Sequence, residues 1–204
     1  MYYLNISQNG YRSLIANCNI SKGTVVIKEY PFLTCEDVYD GIYQIYSGAH
    51  DSGAIFSDSG AASIKDIFEN FTPNTIDKYT IDYLTILSDL KTLPKYMQEF
   101  FEVFDINTLR ILITKFHRNA FTYKTDDKPC ALLQIGSLIN HSCQNNLDFY
   151  VDNNGYFVFI ANRNIESGEE LCDSYLTNNS RISKPKCKYL LFQYGFIHSC
   201  ELCN

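Results

Sequence analysis

Cysteine and histidine at close spacing are soft-metal ligands, and this chain divides such a cluster between two places. Cys143 stands inside Asn140-His141-Ser142-Cys143, and His198, Cys200 and Cys203 stand inside His198-Ser199-Cys200-Glu201-Leu202-Cys203. Cys-x-x-Cys sets two thiolates on one tetrahedral ion, and a histidine two residues earlier reaches the same ion. Cys143 is the candidate fourth ligand. Between the two parts runs Gly168-Glu169-Glu170-Leu171-Cys172-Asp173-Ser174-Tyr175. A metal held this way would pin the tail beside the Asn140-His141 pair and Tyr175, and so help assemble a site.

The composition limits what such a site serves. The 204 residues suit one domain, or one domain with an elaborate insertion, and a chain 46% hydrophobic and 15% aromatic can build a core. A net charge of -6 argues against direct nucleic-acid binding, which needs clustered Lys and Arg. A basic substrate tail is compatible with it. No run approaches the ~20 apolar residues of a membrane span, and the start carries no signal-peptide pattern. Eight cysteines without a secretory signal read as reduced and partly metal-binding, which points to an intracellular protein of nucleus or cytoplasm. Cys18, Cys35, Cys130, Cys172 and Cys187 read as ordinary thiols.

The elements that must position these residues follow from the pattern. Tyr2–Ile6, Arg12–Cys18 and Thr24–Tyr30 are short and rich in β-formers. Residues 47–63 are small and polar and read as a loop. From Ile64 to about Phe121 the apolar period is helical. Pro73 and Pro94 are placed to start helices, and Asp105 to cap another. After a polar turn at 124–128, Leu147–Val151 and Tyr156–Ala161 flank Asp152-Asn153-Asn154-Gly155, a hairpin signal. Ser183 is placed to cap a last helix from Pro185 to about Tyr194. The expected fold is α+β, mainly β, divided as N-terminal strands (1–36), a helical insertion (37–118), a β core (119–180) and a Cys-rich tail (181–204).

Taken together, Asn140-His141-Ser142-Cys143, Gly168-Glu169-Glu170-Leu171 with Tyr175, and Tyr194-x-Phe196-x-His198-x-Cys200-x-x-Cys203 resemble the SET-domain lysine methyltransferases. The chain is most similar to their SET and MYND subgroup. Asn119-Ala120-Phe121 resembles the subgroup's Asn-Ser-Phe segment, and Tyr11–Gly23 its first motif. The resemblance spans nearly the whole chain and is specific after about residue 115. It implies short β-sheets, a helical insertion and a zinc-binding tail. Three departures stand out. The usual Gly-x-Gly becomes Tyr11 and Ser13, and glycine serves where backbone approaches a ligand closely. His198 replaces a cysteine, so zinc would be held by Cys143, His198, Cys200 and Cys203. The MYND finger and the C-terminal helical domain are expected to be absent.

The resemblance implies methyl transfer from S-adenosylmethionine to a lysine amine of a histone or non-histone protein. In that reading Tyr175 is the central hydroxyl and also borders the cofactor. Phe121, Tyr194 and Phe196 line the channel and the cofactor edge. Asn140 holds the cofactor by its side chain and His141 by its backbone, with Arg12 and Ser13 on the flanking strand. Glu169 and Glu170 read as a solvated turn, because this chemistry needs no paired carboxylates. The competing reading is a catalytically silent, zinc-loaded module that binds a protein partner. In either case the chain is expected to be monomeric.

Overall fold

The computed structural model describes residues 1–8, 10–48, 63–122, 129–176 and 194–196. Strands β1 (Tyr2–Ile6), β2 (Arg12–Ala16), β3 (Val25–Glu29) and β4 (Leu33–Cys35) come first. Helices α1 (Val38–Ser47), α2 (Ile64–Glu69), α3 (Tyr83–Leu90), α4 (Lys95–Phe101) and α5 (Ile106–Asn119) follow. Strands β5 (Ala120–Thr122), β6 (Cys130–Leu132), β7 (Asn140–His141), β8 (Leu147–Val151), β9 (Phe157–Ala161) and β10 (Cys172–Asp173) complete the order. The chain adopts the expected α+β class with short sheets, but not the expected predominance of β: among the described residues, helices α1–α5 hold more of the chain than the two- to five-residue strands do. Among the described residues, no helix is long and apolar enough to cross a membrane.

Two compact units arise from this order. The described part of the first comprises residues within 1–31 and 133–176, with Phe196. The second comprises residues within 32–132, with Tyr194 and Gly195.

In the first unit β9 lies between β3 and β8, antiparallel to both. Phe157, Val158 and Phe159 are all buried, as expected of a central strand covered on both faces. The β8–β9 hairpin turns through Asp152–Gly155, and its tight corner needs the left-handed conformation of Gly155 (φ 84°). β1 and β2 form a second antiparallel pair. The segment after Gly168 is laced onto β2, with the Leu171 N–H on the Leu14 carbonyl at 2.7 Å and the Gly168 N–H on the Ala16 carbonyl at 2.8 Å. β7 and β10 form a two-residue parallel ladder. Such a ladder is marginal alone and depends on its surroundings.

The second unit is helical, with the sheet β4-β6-β5 beside the helices. α1 starts where the Asp37 side chain accepts from the N–H groups of Tyr39 and Asp40, and α5 where Asp105 accepts from Asn107 and Thr108. α1 packs on α5. Phe68, Phe71, Phe101, Phe116, Ile42, Ile86 and Ile113 are fully buried and make the core of this unit. Truncating one of these phenylalanines would cost about 3–5 kcal/mol.

Some helix starts fall where the sequence places them, Pro73 needs correction, and α1 begins at Val38, ahead of the helical period read from Ile64. Pro94 precedes α4 and Asp105 caps α5 as expected. Pro73 starts no helix, and α3 begins only after Asp82. Side chains claim the intervening backbone: Asp77 accepts from the Tyr79 N–H, and Thr80 Oγ1 accepts from the Asp77 N–H. Local bonds of this kind compete with a helix. The expected loop at 47–63 is bounded by the end of α1 at Ser47 and the Ser63 cap of α2, while 49–62 lie outside the described residues. The 124–128 turn and the last helix before Tyr194 also lie outside them.

Candidate active site

The core of the site is the parallel ladder of β7 and β10, which sets Cys172 opposite Asn140 and Asp173 opposite His141. Asn146 holds β10 in place from a buried position. Its side chain donates to the Glu170 carbonyl at 2.8 Å and accepts from the Cys172 N–H at 2.9 Å. The turn that enters β7 is fixed by Glu29, at the end of β3. The Glu29 carboxylate accepts from the N–H groups of Gln134, Ile135 and Gly136, the last at 2.9 Å. Burial pushes the Glu29 pKa up and those N–H bonds pull it back down. A Cβ at Gly136 would lie 2.5 Å from Leu133 Cδ1 and 3.0 Å from Phe159 Cζ, so any larger residue would force these buried side chains to shift.

Tyr175, just past β10, is tied at both ends. Its N–H donates to His141 Nδ1 at 3.0 Å, and its hydroxyl donates to the Ile139 carbonyl at 2.7 Å. Nδ1 of His141 is therefore the acceptor nitrogen, and in the neutral ring the proton sits on Nε2. Nε2 lies 3.3 Å from Cys143 Sγ and donates to it. Phe196 completes an aromatic group, its ring 6.2 Å from His141 and 6.4 Å from Tyr175, with the latter two 5.3 Å apart. The Tyr175 hydroxyl proton is committed to the Ile139 carbonyl, so the phenol oxygen faces other groups as an acceptor.

On β2, Ser13 is buried and its hydroxyl accepts from the Asn5 side chain at 3.4 Å. The Arg12 carbonyl accepts from the Asn140 amide at 2.5 Å. Burial lowers the pKa of the Arg12 guanidinium, and interaction with Tyr175 works against that shift. Of the residues the sequence singles out, the structure thus joins Asn140, His141, Tyr175, Phe196, Arg12 and Cys143 in the first unit. Phe121, on β5 opposite Ala131, and Tyr194 are half-buried members of the second unit.

Two carboxyl groups need correction or addition. Glu170 is no solvated turn residue: it accepts from the Tyr11 hydroxyl at 2.9 Å and from the Asn140 amide at 2.8 Å. Glu169 does behave as turn chemistry, pairing with Arg163 at 2.8 Å. Asp173 is an addition. It is 6% exposed, accepts from the Ser174 N–H, and its pKa is pushed up to about 7, first by burial and then by Asp148. A charged residue inside an otherwise apolar Leu-Cys-x-Ser-Tyr stretch is the signal that would have found it.

Among the described residues no group of three or more metal-ligating side chains is present. Three of the four expected zinc ligands, His198, Cys200 and Cys203, lie outside the described residues. Cys143 is described and buried.

Comparison with known proteins places this geometry. The SET domain family model matches residues 11–176. A SET domain-containing protein of Acanthamoeba polyphaga mimivirus is 30% identical over 202 residues, covering 93% of this chain and 72% of its relative. Histone-lysine N-methyltransferase SET5 of Vanderwaltozyma polyspora is 37% identical over 69 residues, 34% of this chain and 14% of that protein. The SET domain of LSMT bound to lysine and AdoHcy superposes with a TM-score of 0.58 at 15% identity, over 97% of this chain. The chain spans 53% of that structure. The Rubisco LSMT structure bound to AdoMet gives a TM-score of 0.57 at 15% identity. With the family pattern running from Tyr11 to Leu176, and the Asn140-His141 and Tyr175 segments brought together within it, the chain belongs to the SET domain family.

Proposed function

We propose that this protein is an S-adenosylmethionine-dependent protein-lysine N-methyltransferase. The observation that carries the reading is Tyr175, held by His141 through its N–H and by Ile139 through its hydroxyl. A relative named as a histone-lysine N-methyltransferase, and structural neighbours bound to AdoMet or to lysine and AdoHcy, support it.

When bound, S-adenosylmethionine supplies an electrophilic methyl group on a sulfonium. The residues of this chain suit it. Asn140 and the backbone of His141 stand on one short strand, with Arg12 and Ser13 on β2, where Arg12 is bonded to Asn140. The reaction is an in-line displacement, so the protein's work is alignment and control of the amine's protonation. The Tyr175 oxygen accepts an amine N–H and orients the nitrogen lone pair. An aromatic surround that includes Phe196 disfavours the ammonium form by desolvation. Aromatic faces also tolerate the cationic product. The substrate is a protein that presents a lysine, histone or non-histone.

A structural zinc belongs to the same proposal, held by Cys143, His198, Cys200 and Cys203. Cys143 suits a ligand's role in one respect: its sulfur already accepts from His141 Nε2, a bond that stabilises a thiolate. The likeness to the SET and MYND subgroup, carried by Asn119-Ala120-Phe121 as well as by the tail, belongs to the same proposal.

The decisive experiment is transfer of labelled methyl from S-adenosylmethionine into lysate proteins by wild type and by Tyr175→Phe. Label that appears with wild type and is lost with the variant supports catalysis. Equal background from both would leave a partner-binding module in its place.

A further inference from the structure

We propose that Tyr11 is a positioning residue for the cofactor's amino-acid end, acting through Glu170 on Asn140. The proposal rests on the methyltransferase reading above.

The Asn140 amide nitrogen has two N–H groups, and both are spent: on the Arg12 carbonyl at 2.5 Å and on Glu170 Oε1 at 2.8 Å. Both partners are pure acceptors, so the amide has one orientation only. Its carbonyl oxygen is directed away from them and presents an acceptor. An acceptor with a carboxylate bonded to the same side chain recognises a cationic N–H donor, and it repels a carboxylate. The α-ammonium of an amino acid matches it.

The Arg12 carbonyl holds one N–H of the amide, and Glu170 must stay in place to hold the other. A glutamate side chain has several rotatable bonds and needs a second anchor to remain in one rotamer. Tyr11 is that anchor, its hydroxyl donating to the same Oε1 at 2.9 Å across 159 residues of sequence. The family pattern has glycine at this place, and a tyrosine suggests crowding. In this chain Tyr11 is 50% exposed and its hydroxyl is directed to Glu170. The fold does not depend on a residue so exposed, whereas the network does.

The test compares two ligands by calorimetry. S-adenosylhomocysteine carries the amino-acid end; 5′-methylthioadenosine shares the nucleoside and thioether and lacks it. Tyr11→Phe keeps the ring and removes the donor. It is expected to weaken S-adenosylhomocysteine about tenfold, the worth of one charge-assisted hydrogen bond, and to leave 5′-methylthioadenosine unchanged. Glu170→Gln, which keeps shape and removes charge, should show the same asymmetry, with melting temperatures of both variants checked against wild type. Equal losses for both ligands, or unchanged binding of S-adenosylhomocysteine by Tyr11→Phe, would overturn the role of Tyr11 alone. A folded wild type that binds neither ligand overturns the cofactor reading, and this inference with it.

Discussion

The N–H of Tyr175 lies 3.0 Å from Nδ1 of His141, a bond that reaches across the β7–β10 ladder and fixes both the tyrosine's place and the histidine's tautomer. His141→Ala removes the acceptor and the ring that Tyr175 packs against. Methyl transfer should fall by about tenfold or more, since small misplacements of an aligning group are costly. His141→Asn keeps an acceptor near the Nδ1 position and should recover part of that loss. Steady-state kinetics on both variants, with melting curves to confirm folding, read this directly. Equal activity of His141→Ala and wild type would show that the bond does not position Tyr175.

Much of this arrangement is legible from local sequence. The Asp152–Gly155 turn fixes the β8–β9 hairpin, and Asp105 caps α5, because both depend on residues within a few positions of each other. The strands Leu33–Cys35, Ala120–Thr122 and Cys130–Leu132 are three residues each and carry too little alternation to be read. The site is legible as motifs and illegible as a network. Tyr11 meets Glu170 at a separation of 159 residues, and Glu29 meets Gly136 at a separation of 107. Spacing rules for helices and strands do not reach that far. Hence Glu170 looks like a solvated turn residue in sequence, and Glu29 like the polar end of a strand.

Glu29 offers a second prediction. Its carboxylate satisfies the N–H groups of Gln134, Ile135 and Gly136, in the turn just ahead of Ile139, whose carbonyl receives the Tyr175 hydroxyl. Glu29→Ala would leave those donors without their acceptor, at a cost of about 2–3 kcal/mol. The urea midpoint should drop accordingly. Glu29→Gln retains one acceptor oxygen and should fall between the two. An unchanged midpoint in Glu29→Ala would mean that water replaces the carboxylate at no cost.

The zinc proposal makes a third. Purified protein should carry stoichiometric zinc by elemental analysis, and Cys143→Ser should lower its retention under mild chelation. Because metal binding and folding are coupled, chelation should also expose the chain beyond Cys187 to protease. Protease resistance that survives confirmed removal of zinc would sink the proposal, whatever the enzyme's activity.

Asp173 makes the last prediction, on pH. Its folded pKa is raised from 3.8 to about 7, by burial first and by Asp148 second, with the Ser174 N–H opposing. The folded chain therefore binds this proton more tightly than the unfolded chain. The resulting stability is fully present below about pH 4, is lost as pH rises toward 7, and is absent above it. Asp173→Asn keeps an oxygen to accept from Ser174 and cannot ionise. Measured against wild type, its stability should gain steadily between about pH 4 and 7 and level off above, by a few kcal/mol at most. Thermal melts of both proteins across that range give the difference curve. A flat difference would show that Asp173 titrates alike in both states, and that water reaches a carboxyl group only 6% exposed.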